Sequence, residues 1–340
     1  MHWFVRIVLA GLALIAFVAA PVSARAELKI VVTIAPVHSL VSVITDGVVE
    51  PELLMPGGTS PHAFSLKPSQ AKMLREANVI VRVSDNLETF LERPLAALGA
   101  ESRIVTLDRV AGMKLLEMRS SGVWEAHADH SEGEPGDQGD VKQVERNHAH
   151  HDHAHHDHMG SERSDDGRAY NPHIWLDPQN AIVAVIHIAT LLGKADPKNA
   201  KTYWENAKTV TEQLSQLDRE LASATSSIRR KPYVVFHDAY AYFEARYQLS
   251  PAGAVTISPE HVPGAKRLVE IRRRVAVAEA KCVFSEPQFE PRLVATIIEG
   301  SNARGAVLDP LGAALEPGPG LYASLMRNLA QTMLGCLGRS

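Results

Sequence analysis

From Leu28 onward, short β-branched runs alternate with stretches whose apolar residues recur every three or four positions. "LKIVVTI", "VEPELLM", "VIVRV" and "RIVTL" read as strands, and "PVHSLVSVITDG", "KPSQAKMLREAN" and "LETFLERPLAAL" read as the helices among them. This alternation predicts a parallel sheet covered by helices, here with a four-stranded core. From Tyr233 the pattern resumes with "YVVFHD", "AYAYFEARYQ", "GAVTIS", "PGAKRLVEIRRRVAVAEA", "KCVFSE", "EPRLVATIIEG", "AVLDP" and a terminal helix, so a second lobe of the same kind is expected. No repeat of solenoid period is present.

Two helices separate these halves. Asp177-Pro178 and Asp196-Pro197 each set an N-cap acid before a proline at the first helical position, and Gly193 is placed to close the first helix. "PQNAIVAVIHIATLLG" is apolar on most faces, which suits a rigid rod between lobes. The second helix carries Tyr203, Ala207, Val210, Leu214, Leu217 and Leu221 as an ordinary amphipathic stripe. The expected organisation is an N-terminal α/β lobe over 27–177, an interlobe helix over 178–194 and a C-terminal α/β lobe over 195–340.

Residues 1–26 read as a signal peptide. Arg6 supplies a positive n-region, residues 7–20 are almost wholly apolar, and Ala24-Arg25-Ala26 offers small residues for cleavage. The apolar stretch is shorter than the roughly 20 residues that span a bilayer, so export to the periplasm as a soluble protein is expected. With 35 basic and 39 acidic residues there is no field to recruit nucleic acid. Small ligands or protein partners fit better, and a monomer is expected. The two cysteines, Cys282 and Cys336, meet an oxidising compartment after export, and one disulfide is the natural pairing. Two free thiols or half of a metal site is the alternative.

Residues 127–158 carry nine histidines, eight acids, two bases and no aromatics. Such a segment buries too little apolar surface to offset its ordering entropy and reads as a disordered surface loop. His148, His150, His151, His153, His155, His156 and His158 crowd its end, a candidate weak metal-binding tract.

In open parallel α/β sheets, ligands bind beyond the carboxyl ends of the strands. His62 follows the second strand in "PGGTSPHAF", His237 follows "YVVF", Glu286 follows "KCVFS" and Asp309 follows "AVL", while His173 in "NPHIWLDP" precedes the interlobe helix. Imidazoles suit zinc, and three with one oxygen complete a tetrahedral shell. His62, His173 and His237 are therefore candidate ligands of Zn2+, with Asp309 or a water as the fourth. Glu286 is placed to orient a ligand imidazole through its other nitrogen. His38, His187 and His261 read as ordinary structural residues, and His2 leaves with the signal peptide.

"PGGTSPHAFSLKPSQ", "NPHIWLDPQNA", "FHDAYAYFE", "CVFSEPQFEP" and "LDPLG", with the internal histidine loop and two late cysteines, resemble the zinc-specific periplasmic solute-binding proteins of bacterial ABC importers, of the ZnuA type. The resemblance spans nearly the whole mature chain. It implies two α/β lobes joined by one rigid helix, zinc held between them by histidines at His62, His173 and His237, and delivery to a membrane permease. In related manganese binders a carboxylate joins at the position of Asp309. Some zinc members place a glutamate just before the first histidine, where this chain has Pro61. Competing expectations are a manganese or iron carrier of the same fold, a zinc hydrolase, and a periplasmic metal buffer without a transporter. The hydrolase has no H-E-x-x-H helix or G-x-S-x-G elbow to support it.

Overall fold

The computed structural model describes residues 28–98, 103–119, 170–256, 263–288 and 291–338. The expected signal peptide and the histidine tract of 127–158 lie outside these residues, as does His261. Strands β1 (Ile30–Val32), β2 (Glu52–Leu53), β3 (Val79–Arg82) and β4 (Arg103–Thr106) form one sheet in the order β2-β1-β3-β4. Strands β5 (Tyr233–Val235), β6 (Pro251–Ala254), β7 (Cys282–Ser285) and β8 (Arg304–Val307) form the other, in the corresponding order β6-β5-β7-β8. Every pairing in both sheets is parallel. The inner strands β1, β3, β5 and β7 are buried at each residue, as a sheet covered on both faces requires.

The first sheet is covered by α1 (Ala35–Ile44), α2 (Pro68–Glu76) and α3 (Glu92–Ala96), the second by α6 (Ala241–Tyr247), α7 (Ala265–Val277), α8 (Pro291–Ile298) and α9 (Leu321–Leu337). Between them run α4 (Pro178–Ala195) and α5 (Ala200–Ala224). Asp177 caps α4 as expected, its Oδ1 accepting the Gln179 N–H at 2.9 Å. Asp196 does otherwise. It closes α4, α5 begins only at Ala200, and the Asp196 Oδ2 accepts from Asn199 Nδ2 and Tyr203 Oη, tying the turn. Gly193 stays within α4 instead of ending it, because a Cβ there would meet the Ala200 Cβ at 3.3 Å; its smallness serves the close approach of α5. The helix read from "LETFLERPLAAL" is shorter than its pattern. Glu88 turns its carboxylate back to accept the backbone N–H groups of Val83 and Ser84, so a 3-10 turn at Thr89–Leu91 replaces the first helical turn.

One hydrophobic cluster runs through both lobes, from Ile30, Val32 and Val81 through α1, α4 and α5 to Tyr233, Phe284 and α9. The joint between the lobes is thus a packed core as well as a rod. Hydrogen bonds cross it: Tyr322 Oη donates to the Trp175 carbonyl, Trp175 Nε1 to the Pro310 carbonyl, and Ser39 Oγ to the Pro319 carbonyl. Cys282 and Cys336 form a disulfide that pins α9 to β7. No helix among the described residues is long and apolar enough to cross a membrane.

Candidate metal centre

The chain leaves β2 through a loop in which Gly58 has φ of +81°, a left-handed conformation that glycine adopts without strain. Neighbouring Gly57 lies so near the second lobe that a Cβ would meet the Ala313 carbonyl oxygen at 3.2 Å. The loop ends in a 3-10 turn, Pro61–Ala63, that carries half-buried His62. His173 is buried at the entry of the Ile174–Leu176 turn just before α4. His237 is buried in the turn after β5.

These three imidazoles point their Nε2 atoms at one place. His173 Nε2 stands 3.4 Å from His62 Nε2 and 3.2 Å from His237 Nε2. Three nitrogens held at about 2.05 Å from one tetrahedral zinc would stand about 3.3–3.4 Å apart. Among the described residues, this trio is the only set of three or more histidines, cysteines or carboxylates close enough to share an ion.

The tautomers follow from what holds each ring. β5 and β7 pair in parallel with Tyr233 opposite Cys282, and the same register run past the strands sets His237 opposite Glu286. Glu286 Oε1 lies 2.7 Å from His237 Nδ1, so that nitrogen carries the proton and donates to the carboxylate. Asn171 does the same for His173. Its Nδ2 donates to the Asp238 carbonyl at 2.6 Å, which fixes Oδ1 as the atom accepting from His173 Nδ1 at 2.9 Å and from the His173 N–H at 3.0 Å. With both Nδ1 atoms protonated, the two Nε2 atoms turn bare lone pairs toward one another at 3.2 Å. A cation between them resolves that repulsion. Burial, and after it the neighbouring His237 and His62, hold the His173 pKa well below the ordinary histidine value, which keeps this ring neutral.

The whole length from residue 30 to 336 matches the family model described as zinc-uptake complex component A, periplasmic. A protein named high-affinity zinc uptake system protein ZnuA from Brucella suis is 42% identical over 312 residues, covering 91% of this chain and 92% of its own. The chain belongs to this zinc-uptake family. Its fold is also that of a crystal structure of ZnuA, with TM-score 0.69, 23% identity and coverage of 91% of this chain and 99% of that one. A solute-binding protein, FpvC from Pseudomonas aeruginosa, whose structure is described in complex with Mn2+, is similar at TM-score 0.71 and 22% identity, over 92% and 99% of the two chains.

Within that family frame, the structure gathers His62, His173 and His237 and sets Glu286 behind His237, but it does not bring Asp309 to them. Asp309 Oδ1 accepts the backbone N–H groups of Leu311 and Gly312, and Oδ2 accepts that of Ala313 at 2.5 Å. Turning this carboxylate toward an ion would orphan three donors, so it braces its own loop, the one the His62 loop leans on at Gly57.

His38 is a satisfied core residue, with Nε2 2.9 Å from the Pro51 carbonyl oxygen and its pKa lowered by burial. His187 is exposed on α4. The seven candidate histidines of the tract lie outside the described residues.

Sequence reasoning passed over Asn171 and Arg119. The first sits two residues before His173, where an Asx side chain reaches the following backbone N–H. Arg119 reaches the second lobe to pair with Glu244 at 2.5 Å and with Asp238 at 3.6 Å. Burial raises the Asp238 carboxyl to about 7 even with the Arg119 charge opposing it. No spacing signal points to this residue, because its partners are distant in sequence.

Proposed function

We propose that this chain captures a single bare Zn2+ between its lobes through His62, His173 and His237, in the periplasm and as a monomer, and hands it to the permease of an ABC importer. The observation that carries this reading is the convergence of three imidazole nitrogens, His173 Nε2 standing 3.2 Å from His237 Nε2 and 3.4 Å from His62 Nε2. Membership of the zinc-uptake family supports the same cargo. A donor set of imidazole nitrogens with no carboxylate suits zinc, whereas manganese and ferrous iron prefer more oxygen. The cleft has a free volume of ≈ 10 Å³, room for about one water or ion. The histidine tract would raise the local concentration of metal around this site.

The deciding experiment is competitive titration of the exported chain with a chromophoric zinc chelator, in parallel with Mn2+. One tight zinc per chain is expected, lost in the triple variant His62→Ala, His173→Ala, His237→Ala, with Mn2+ bound far more weakly. Equal retention of zinc by the triple variant, or preference for Mn2+, overturns the reading.

A further inference from the structure

Gln288 lies two residues beyond Glu286, in the segment that leaves β7, and its side chain walls the same cleft as the three imidazoles. Its amide is buried, and neither Oε1 nor Nε2 has a hydrogen-bond partner among the described residues. Folded proteins seldom leave a side-chain amide in that condition, because its water is lost with nothing in return. Gln288 is one of the residues lining a space of ≈ 10 Å³, about one water in size, beside atoms arranged for a cation.

A tetrahedral ion held by three Nε2 atoms has one position left. Pro61 offers no donor to it, and Asp309 is committed to its own loop. Side-chain amide oxygens are uncommon zinc ligands beside nitrogen, sulfur and carboxylate. They are, however, good acceptors, and a water that has given a lone pair to a metal presents only O–H groups to the protein. We propose that Gln288 is the positioning residue for the fourth ligand, its Oε1 accepting a hydrogen bond from the water bound to zinc. This rests on the zinc reading of the cleft. It assigns the missing corner of the shell to a neutral group, which orders a water and adds no charge.

The test compares wild type with Gln288→Leu, of similar volume but without polar atoms, and Gln288→Glu, which keeps an acceptor. Without metal, Gln288→Leu should melt above wild type, because it removes a buried amide that lacks partners. With zinc, it should bind about tenfold more weakly in chelator competition, ~1.4 kcal/mol, and the visible absorption of the Co2+-loaded form should shift. Gln288→Glu should retain wild-type affinity or exceed it. A purely structural glutamine would move the metal-free melting point down and leave the Co2+ spectrum alone. Wild-type zinc affinity in Gln288→Leu, or a lower metal-free melting point, overturns the proposal while the cleft reading stands. Zinc binding that survives loss of all three histidines overturns both.

Discussion

Glu286 and His237 meet at 2.7 Å, Oε1 to Nδ1, with both side chains buried at the corner where β5 and β7 lie side by side. The contact fixes which nitrogen of His237 faces the cleft, and a carboxylate partner also raises the basicity of that nitrogen. Replacing Glu286 by alanine should weaken zinc binding about 10–100-fold with stoichiometry unchanged, as read by chelator competition. Glu286→Gln should recover part of the loss, since an amide oxygen still accepts from Nδ1.

Asp309 gives the opposite pattern. Because its oxygens hold Leu311, Gly312 and Ala313, Asp309→Ala should cost roughly 1–3 kcal/mol of stability from orphaned N–H groups. Its zinc affinity should fall much less than that of His237→Ala. Thermal melts of the metal-free protein together with zinc titration separate the two effects.

Acid should destabilise the metal-free protein. The His173 pKa is lowered by burial first and by the neighbouring imidazoles second. The unfolded chain takes up this proton near pH 6.5 while the folded chain still refuses it. Stability is therefore fully present above about pH 6.5 and declines as the pH falls toward the lowered folded value, by up to about 1.4 kcal/mol per pH unit. Melting curves between pH 7.5 and pH 5 should show the decline, and His173→Asn should reduce its slope. The zinc-loaded form should lose its metal over the same direction of pH, as protons compete for the ligand nitrogens.

Reduction of Cys282–Cys336, 54 residues apart, should destabilise the fold by about 4 kcal/mol on the chain-entropy argument. The bond holds α9 to β7, and β7 leads directly to Glu286. Differential scanning calorimetry of the Cys282→Ser, Cys336→Ser double variant should register the loss, while the zinc-loaded variant still binds one ion.

Deletion of residues 127–158 should leave tight binding of one zinc intact and remove only weaker sites. Loss of the tight site in titration would reverse the assignment between tract and cleft. Because one core passes through both lobes, small-angle scattering of either version should show no large closure on loading.

Much of this architecture is legible in the chain because two rules act locally. β-branched runs and amphipathic stripes mark the strands and helices, and the carboxyl-end rule picks out His62, His237 and Glu286 from strand position alone. What escapes is set by partners far away in sequence. Asp309 carries every outward sign of a ligand, yet three backbone donors in its own loop claim it first. Asp196 resembles a cap for the following helix but is drawn into a turn by Asn199 and Tyr203. Gly193, read as a terminator, answers instead to the nearness of Ala200 across two helices. A side chain's choice among competing partners is a property of packing, and periodicity does not encode it.

Glu117 and Tyr170 form an isolated antiparallel bridge, and Asn171 N–H donates to the Leu116 carbonyl at 2.8 Å beside it. The end of the 103–119 segment is thereby fastened to the start of the 170–256 segment, one residue ahead of Asn171. Since Asn171 is the group that orients the His173 ring, a pair of backbone clasps remote from the cleft underwrites the aim of one of its nitrogens, and loosening the clasp at Glu117–Tyr170 would be felt at that imidazole.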